Sequence, residues 1–170
     1  MGTILHGTHV TLRPAVAGDI PALVAIRRTP EVYVRWRGGE DLTDAVTTDL
    51  AESDTETFAI EAEGRLVGAV QWYANDDDEY RHAGLDIYLD PACHGRGYGT
   101  DAVRTLARHL VGHHRFHRLV IDPAVDNLPA IRCYEKVGFR PVGVMRRYER
   151  DADGGWHDNL LMDLLAEELL

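Results

Sequence analysis

The chain has 170 residues, 45% hydrophobic and 27% charged, a balance suited to a soluble globular protein able to bury a core without staples. Eighteen basic against 28 acidic side chains give a net charge of −10, which argues against nucleic-acid binding and fits a cationic small-molecule partner. No apolar run nears the ~20 residues of a membrane span, the N-terminus has no signal layout, and two cysteines outside any CxxC pattern point to a reducing cytoplasm.

Residues 9–15 alternate Val10 and Leu12 and stop at Pro14, as a strand does. Asp19 is placed to cap a helix over 18–28, with Ile20, Leu23 and Ile26 on one face. Pro30 and the Gly38-Gly39 pair punctuate 29–40 into an aromatic loop, and 42–53 reads as a short helix. Phe58 and Ile60 alternate toward a turn at Glu63-Gly64, and Leu66 to Tyr73 returns as the second arm of a hairpin. Pro91 stops a strand over 82–90. Val103, Leu106, Ala107 and Leu110, at i, i+3, i+4 and i+7, mark an amphipathic helix. A strand over 116–122 follows, then a helix over 126–139 with Pro129 in its first turn and Gly138 as its stop. Two strands, over 140–151 and 155–165, are joined by a turn at 151–155. The order predicts one α/β (α+β) domain over 1–170: a mixed, mostly antiparallel central sheet with helices on both faces.

The segment "DPACHGRGYGTDAV" (90–103) puts Gly95, Gly97 and Gly99 between a strand and a helix. Free N–H groups and the positive end of the helix favour an anion there. A Walker loop would need a Gly-Lys-Ser/Thr that is missing, and a Rossmann fingerprint would need a different glycine spacing near the start of a βαβ unit. A flexible surface loop is the plain alternative.

The element order and "HGRGYG" resemble the acetyl-CoA site of the GNAT acetyltransferase superfamily, whose signature is Gln/Arg-x-x-Gly-x-Gly/Ala. Gly97 and Gly99 match, and His94 stands at the Gln/Arg position. The resemblance implies that His94, Gly95, Arg96, Gly97, Tyr98, Gly99 and Thr100 cradle the pyrophosphate. It also implies that the main chain of Ile87, Tyr88 and Leu89 pairs with the pantetheine arm where the strand splays from its neighbour. "DNLPAIRCYEKVGF" (126–139) resembles the family's Asn-x-x-Ala-x-x-x-Tyr segment, which places Asn127 on the cofactor arm and Tyr134 near its sulfur.

"GLDIYL", "VRWRGGE" and the same 126–139 run further resemble the aminoglycoside N-acetyltransferases that act on the 6′ amine, closely from about 84 to 139. This implies an acetyl-CoA-dependent enzyme that confers antibiotic resistance. An alkyl ammonium, with a pKa near ~10, must lose a proton before attacking a thioester. Asp86 is the residue to bind it and accept that proton, and Tyr134 the one to serve the leaving thiolate. Trp36, Asp76, Asp78, Glu79 and Asp158 are expected on the substrate side. The C-terminal stretch also resembles enzymes that acetylate ribosomal proteins, so a protein N-terminus or a polyamine is the alternative substrate. A non-catalytic acyl-CoA-binding module would have no need of Asp86 together with Tyr134. No metal is expected, since His109 and His113 lack a third ligand at suitable spacing. A monomer or homodimer is expected.

Overall fold

The computed structural model describes residues 2–170. Eight strands form one sheet in the order β1-β2-β3-β4-β5-β6-β8-β7. They are Leu5–His6 (β1), Thr11–Pro14 (β2), Thr55–Ala62 (β3), Arg65–Asn75 (β4), His82–Leu89 (β5), Arg118–Ile121 (β6), Arg140–Arg150 (β7) and Trp156–Leu165 (β8). The helices are Ile20–Arg27 (α1), Pro30–Tyr33 (α2), Leu42–Ala51 (α3), Tyr98–Gly112 (α4) and Leu128–Val137 (α5). Among the described residues every neighbouring strand pair is antiparallel except β5–β6. No helix there is long and apolar enough to cross a membrane.

Consecutive strand residues point to opposite faces, and β4 shows the consequence. Val70 joins the larger core, where α4 seats Val103, Leu106, Ala107 and Leu110 against Phe58, Leu85 and Leu119. Its neighbour Ala69 faces the other way, under Leu23 and Val24 of α1 and Leu42 and Val46 of α3. The expected helices on both faces are present, and each fully buried leucine contributes about 1.5–3 kcal/mol.

Three local expectations need correction. Leu5–His6 adds a short edge strand before the predicted first one. The aromatic loop contains α2, started by Pro30 at its first position. Asp19 precedes α1 but makes no side-chain cap to it; its carboxylate takes two nitrogens of Arg13 at 2.8 and 2.9 Å and the Val16 N–H at 2.8 Å. The Arg13 guanidinium therefore holds the Asp19 carboxyl below the usual carboxylate range.

Asp101, buried in the first turn of α4, accepts the N–H groups of Thr8, His9 and Val10 at 3.1, 2.6 and 3.0 Å. One carboxylate thus ties the entry to β2 onto the helix that carries the glycine turn. Substituting Asp101→Ala strands three donors at once and is expected to cost about 3 kcal/mol in urea-induced unfolding.

Candidate active site

The site begins where two parallel strands part. β5 pairs with β4 along its whole length, from Asn75↔His82 to Gly68↔Leu89. With β6 it pairs only at Ala83↔Leu119 and Gly84↔Val120. β6 ends at Ile121, just before Asp122-Pro123, and a proline has no N–H for a ladder. From Leu85 onward one edge of β5 is therefore open inside the sheet.

The alternation of strand hydrogen bonds decides which groups line that edge. The Asp90 N–H reaches Val67 O at 2.7 Å, and a Cβ on Gly68 would collide with the Tyr88 carbonyl oxygen. Even-numbered residues at this end of β5 thus turn their main chain toward β4. Ile87 and Leu89 face the gap. Tyr88, expected to share that role, instead spends its main chain on β4 and packs its ring edge-on to Trp36, with centroids 4.7 Å apart.

At the open end of β5 the chain turns through Gly95 (φ 78°) and Gly97 (φ 81°), a region where a side chain costs energy. The space where their Cβ atoms would stand is open. Gly97 starts α4 with no side-chain cap. Among the described residues, no acceptor takes the N–H groups from Gly95 to Thr100. A row of free donors at the positive end of a 15-residue helix is a seat for a phosphate anion. His94 and Arg96 flank the turn on the outside, Arg96 at 3.3 Å from Glu63. Tyr98 sends its ring into the core, and the Thr100 hydroxyl donates to Cys133 Sγ at 3.2 Å.

Beside the open edge lies a cavity of about 470 Å³ whose lining includes Asp86, Ile87, Asn127, Tyr134 and Trp36. Asp86 sits opposite Gln71 of β4. Burial, then the charges of Asp122 and Glu149, push its carboxyl up to about 6, against the pull of a Gln71 hydrogen bond. Burial also raises Asp122, with Glu149 adding to the effect and a bond from Asn159 opposing it. Burial pushes the Tyr134 phenol far above its ordinary value, with Cys133, Asp86 and Asp122 contributing. It is a neutral hydroxyl at any physiological pH. Tyr73, raised to about 12 by burial and by Asp86, lies on the same wall.

Trp36 is held from behind. Arg27, only 1% exposed, donates to Asp49 and, at 2.7 Å, to the Arg37 carbonyl. Its guanidinium lies 5.8 Å from the ring centres of both Trp36 and Tyr88. From the front, Arg37 donates to the Asp151 carbonyl at 2.8 Å, and Arg35 pairs with Asp126 at 2.6 Å. The 35–37 segment is thereby strapped across the cavity to the β7–β8 turn and to the start of α5.

Two groups of expected substrate residues fall elsewhere. Asp76, Asp78 and Glu79 are exposed on the β4–β5 turn, at the end of β5 remote from the glycines, where Asp76 pairs with Arg81 at 3.6 Å. Asp158 misses by one residue. Its neighbour His157 lines the cavity, and strand alternation turns Asp158 to the opposite face beside Arg146 and Arg147. In their place the fold brings Asp122, Glu149, Tyr148 and His157. The run "VIDP" held a signal for Asp122, as a carboxylate ending a buried strand; Glu149 had none. Among the described residues no group of three or more metal-binding side chains converges; His109, His113 and His114 pack on one another with ring centres 4.9–5.0 Å apart.

The model of the acetyltransferase (GNAT) domain family matches residues 9–140. The chain belongs to this family. GNAT enzymes use acetyl-CoA, and this one is an acetyl-CoA-dependent N-acetyltransferase whose open β5 edge and free glycine-turn donors fit that cofactor. An aminoglycoside N(6′)-acetyltransferase type 1 of Klebsiella pneumoniae is 29% identical over 154 residues, covering 80% of this chain and 76% of that one. The structure of AAC(6′)-Ib in complex with paromomycin and acetyl-CoA superposes at a TM-score of 0.76, with 26% identity, over 94% of this chain and 95% of that one. The structure of Mycobacterium smegmatis RimJ with CoA-disulfide superposes at 0.82, with 25% identity, over 99% and 88%.

Asp86 is a destabilising residue. Its carboxyl, at about 6 in the fold against 3.8 ordinarily, binds more protons folded than unfolded, so stability falls as pH rises through that window. At pH 7 the ionised group costs up to about 3 kcal/mol. The substitution Asp86→Asn is expected to raise the unfolding free energy at pH 7 and to lose that gain below about pH 4, read from urea titrations at several pH values.

Proposed function

We propose that this acetyltransferase acts on a primary amine of an aminoglycoside antibiotic, the 6′ amine, and so confers resistance. The observation that carries this reading is the gathering of Asp86, Asp122 and Glu149 beside the open edge of β5. Asp86 and Asp122, both raised toward protonation by burial and by neighbouring charge, are relieved by a ligand with several ammonium groups. The similarity to the N(6′)-acetyltransferases, at 26–29% identity, supports the same substrate class.

Bound acetyl-CoA supplies an acetyl thioester. The Ile87 and Leu89 main chain would hold the arm, with a main-chain N–H there to polarise the thioester carbonyl, the Gly95–Thr100 donors would hold the pyrophosphate, and Asn127 would touch the arm. Asp86, ionised at neutral pH, binds the substrate ammonium and accepts its proton as the amine attacks, directly or through water. The neutral Tyr134 hydroxyl donates a hydrogen bond or a proton to the sulfur as it leaves, an easy departure given an ordinary thiol pKa of about 8.5. Trp36 and Tyr73 wall the acceptor side. Asp122 and Glu149 receive the remaining ammonium groups.

The 35–37 segment is fixed beside the cavity by the bonds from Arg37 to Asp151 and from Arg35 to Asp126, which supports a compact acceptor held against Trp36. Free thiols at Cys93 and Cys133 support a reducing, cytoplasmic setting. The single eight-stranded sheet supports one catalytic domain over 1–170.

The decisive experiment mixes the enzyme and acetyl-CoA with kanamycin, tobramycin, spermidine and a model N-terminal peptide, and follows free thiol. Release is expected with the two antibiotics, and release with the peptide or spermidine alone retires the antibiotic assignment. With the accepted substrate, kcat/KM is expected to fall about tenfold per pH unit below about 6, as Asp86 takes up its proton. Replacing it by Asn is expected to lower kcat at least ~10²-fold while leaving acetyl-CoA affinity within twofold.

A further inference from the structure

The β7–β8 ladder shifts by one residue between Pro141 and Gly143, runs in register from Gly143↔Leu161 to Met145↔Asn159, breaks, and resumes at Glu149↔His157. Between these pairs, Arg146, Arg147 and Tyr148 stand opposite the single residue Asp158. Two extra residues are therefore looped out of β7. At the centre of the loop Arg147 has φ 49°, a left-handed backbone that costs a side-chain-bearing residue about 1–2 kcal/mol. Its N–H donates to Asp158 Oδ1 at 2.7 Å. Asp158 is fixed in turn, because its carbonyl accepts the Val125 N–H at 3.1 Å from the segment leading into α5.

The consequence of the bulge lies in what an unbulged strand would present. Continuing the register from Met145↔Asn159 would set Arg147 opposite His157 and push Glu149 into the turn. Cross-strand partners share a face, and His157 lines the cavity. A regular ladder would thus aim an arginine at the wall that now carries Glu149. The looped-out pair exchanges the sign of charge at that position.

We propose that Asp158 is a positioning residue: by holding Arg147 in its left-handed turn, it places Glu149 rather than Arg147 on the cavity wall and so sets the site's preference for a cationic acceptor. The inference rests on the reading of that wall as the ammonium subsite. Asp158 acts from the opposite face of the sheet and touches no substrate. What it supplies is a hydrogen-bond acceptor, and its negative charge is incidental.

Four variants test this with kanamycin and acetyl-CoA as the measured pair. Glu149→Gln is expected to raise the KM for kanamycin about tenfold, about 1.4 kcal/mol, with acetyl-CoA KM within twofold. Asp158→Ala is expected to do the same or more. Asp158→Asn keeps an oxygen acceptor for the Arg147 N–H and is expected to stay within threefold of the parent. The double variant Asp158→Ala with Arg147→Gly is expected to regain at least most of the loss, since glycine adopts the left-handed turn unaided. Equal damage from Asp158→Asn and Asp158→Ala would overturn the proposal by showing that the charge matters, and so would failure of glycine to rescue. If Glu149→Gln leaves KM unchanged, the ammonium wall itself is refuted. If it raises KM while Asp158→Ala does not, only the positioning role falls. A crystal structure of Asp158→Ala reads the register without substrate: Arg147 opposite His157 supports the proposal, and a retained bulge overturns it.

Discussion

A two-residue ladder is the constraint on which this molecule turns. β5 and β6 share only the pairs at Ala83 and Gly84 before they part, and a sheet opened in its middle leaves backbone groups that folding would otherwise satisfy. The opening exists because β4 pairs β5 along its full length while β6 is drawn to β8. The glycine turn and α4 follow directly from the open strand, so a single chain direction delivers both an edge for an extended arm and a donor cluster for a phosphate. Fold and cofactor site are one feature at two scales.

The acid wall is a second consequence of the same parting. Asp86 lies on β5 and Asp122 just past β6, so the divergence that opens the sheet also sets carboxylates on its two sides. Glu149 arrives from β7, beyond the intervening β8. Burial raises both aspartates, which means the fold tolerates charges it would be more stable without. Stability given up at a buried carboxylate is a common mark of a site whose partner completes it. Behind the wall, the buried Arg27 does opposite work: it makes a long surface segment rigid by holding the Arg37 carbonyl, the Trp36 ring and Asp49 together.

Much of this was legible in the chain itself. Periodicity in Val103, Leu106, Ala107 and Leu110 gave α4, and the Glu63-Gly64 turn gave the β3–β4 hairpin, because local geometry alone dictates both. The glycine turn was legible because free N–H groups at a helix start need no distant partner. Asp86 and Tyr134 were singled out through the resemblance of "GLDIYL" and of 126–139 to family segments, and the structure brings both to one cavity. The β1 strand escaped notice because two residues carry no period, and α2 because a four-residue helix hides in a loop.

What sequence alone determined, then, is what contacts within one element or one turn govern: the longer helices, the hairpin and a glycine turn with free N–H groups at a helix start. What only the tertiary structure decided is which acids share a cavity. Asp76, Asp78 and Glu79 form the densest acidic run in the chain yet sit at the far end of β5, and Asp158 faces the wrong side by one residue. Glu149 reaches the wall only because two residues bulge out of β7. Electrostatic neighbourhoods depend on strand order, register and parity, and these are set by pairing between segments far apart in the chain.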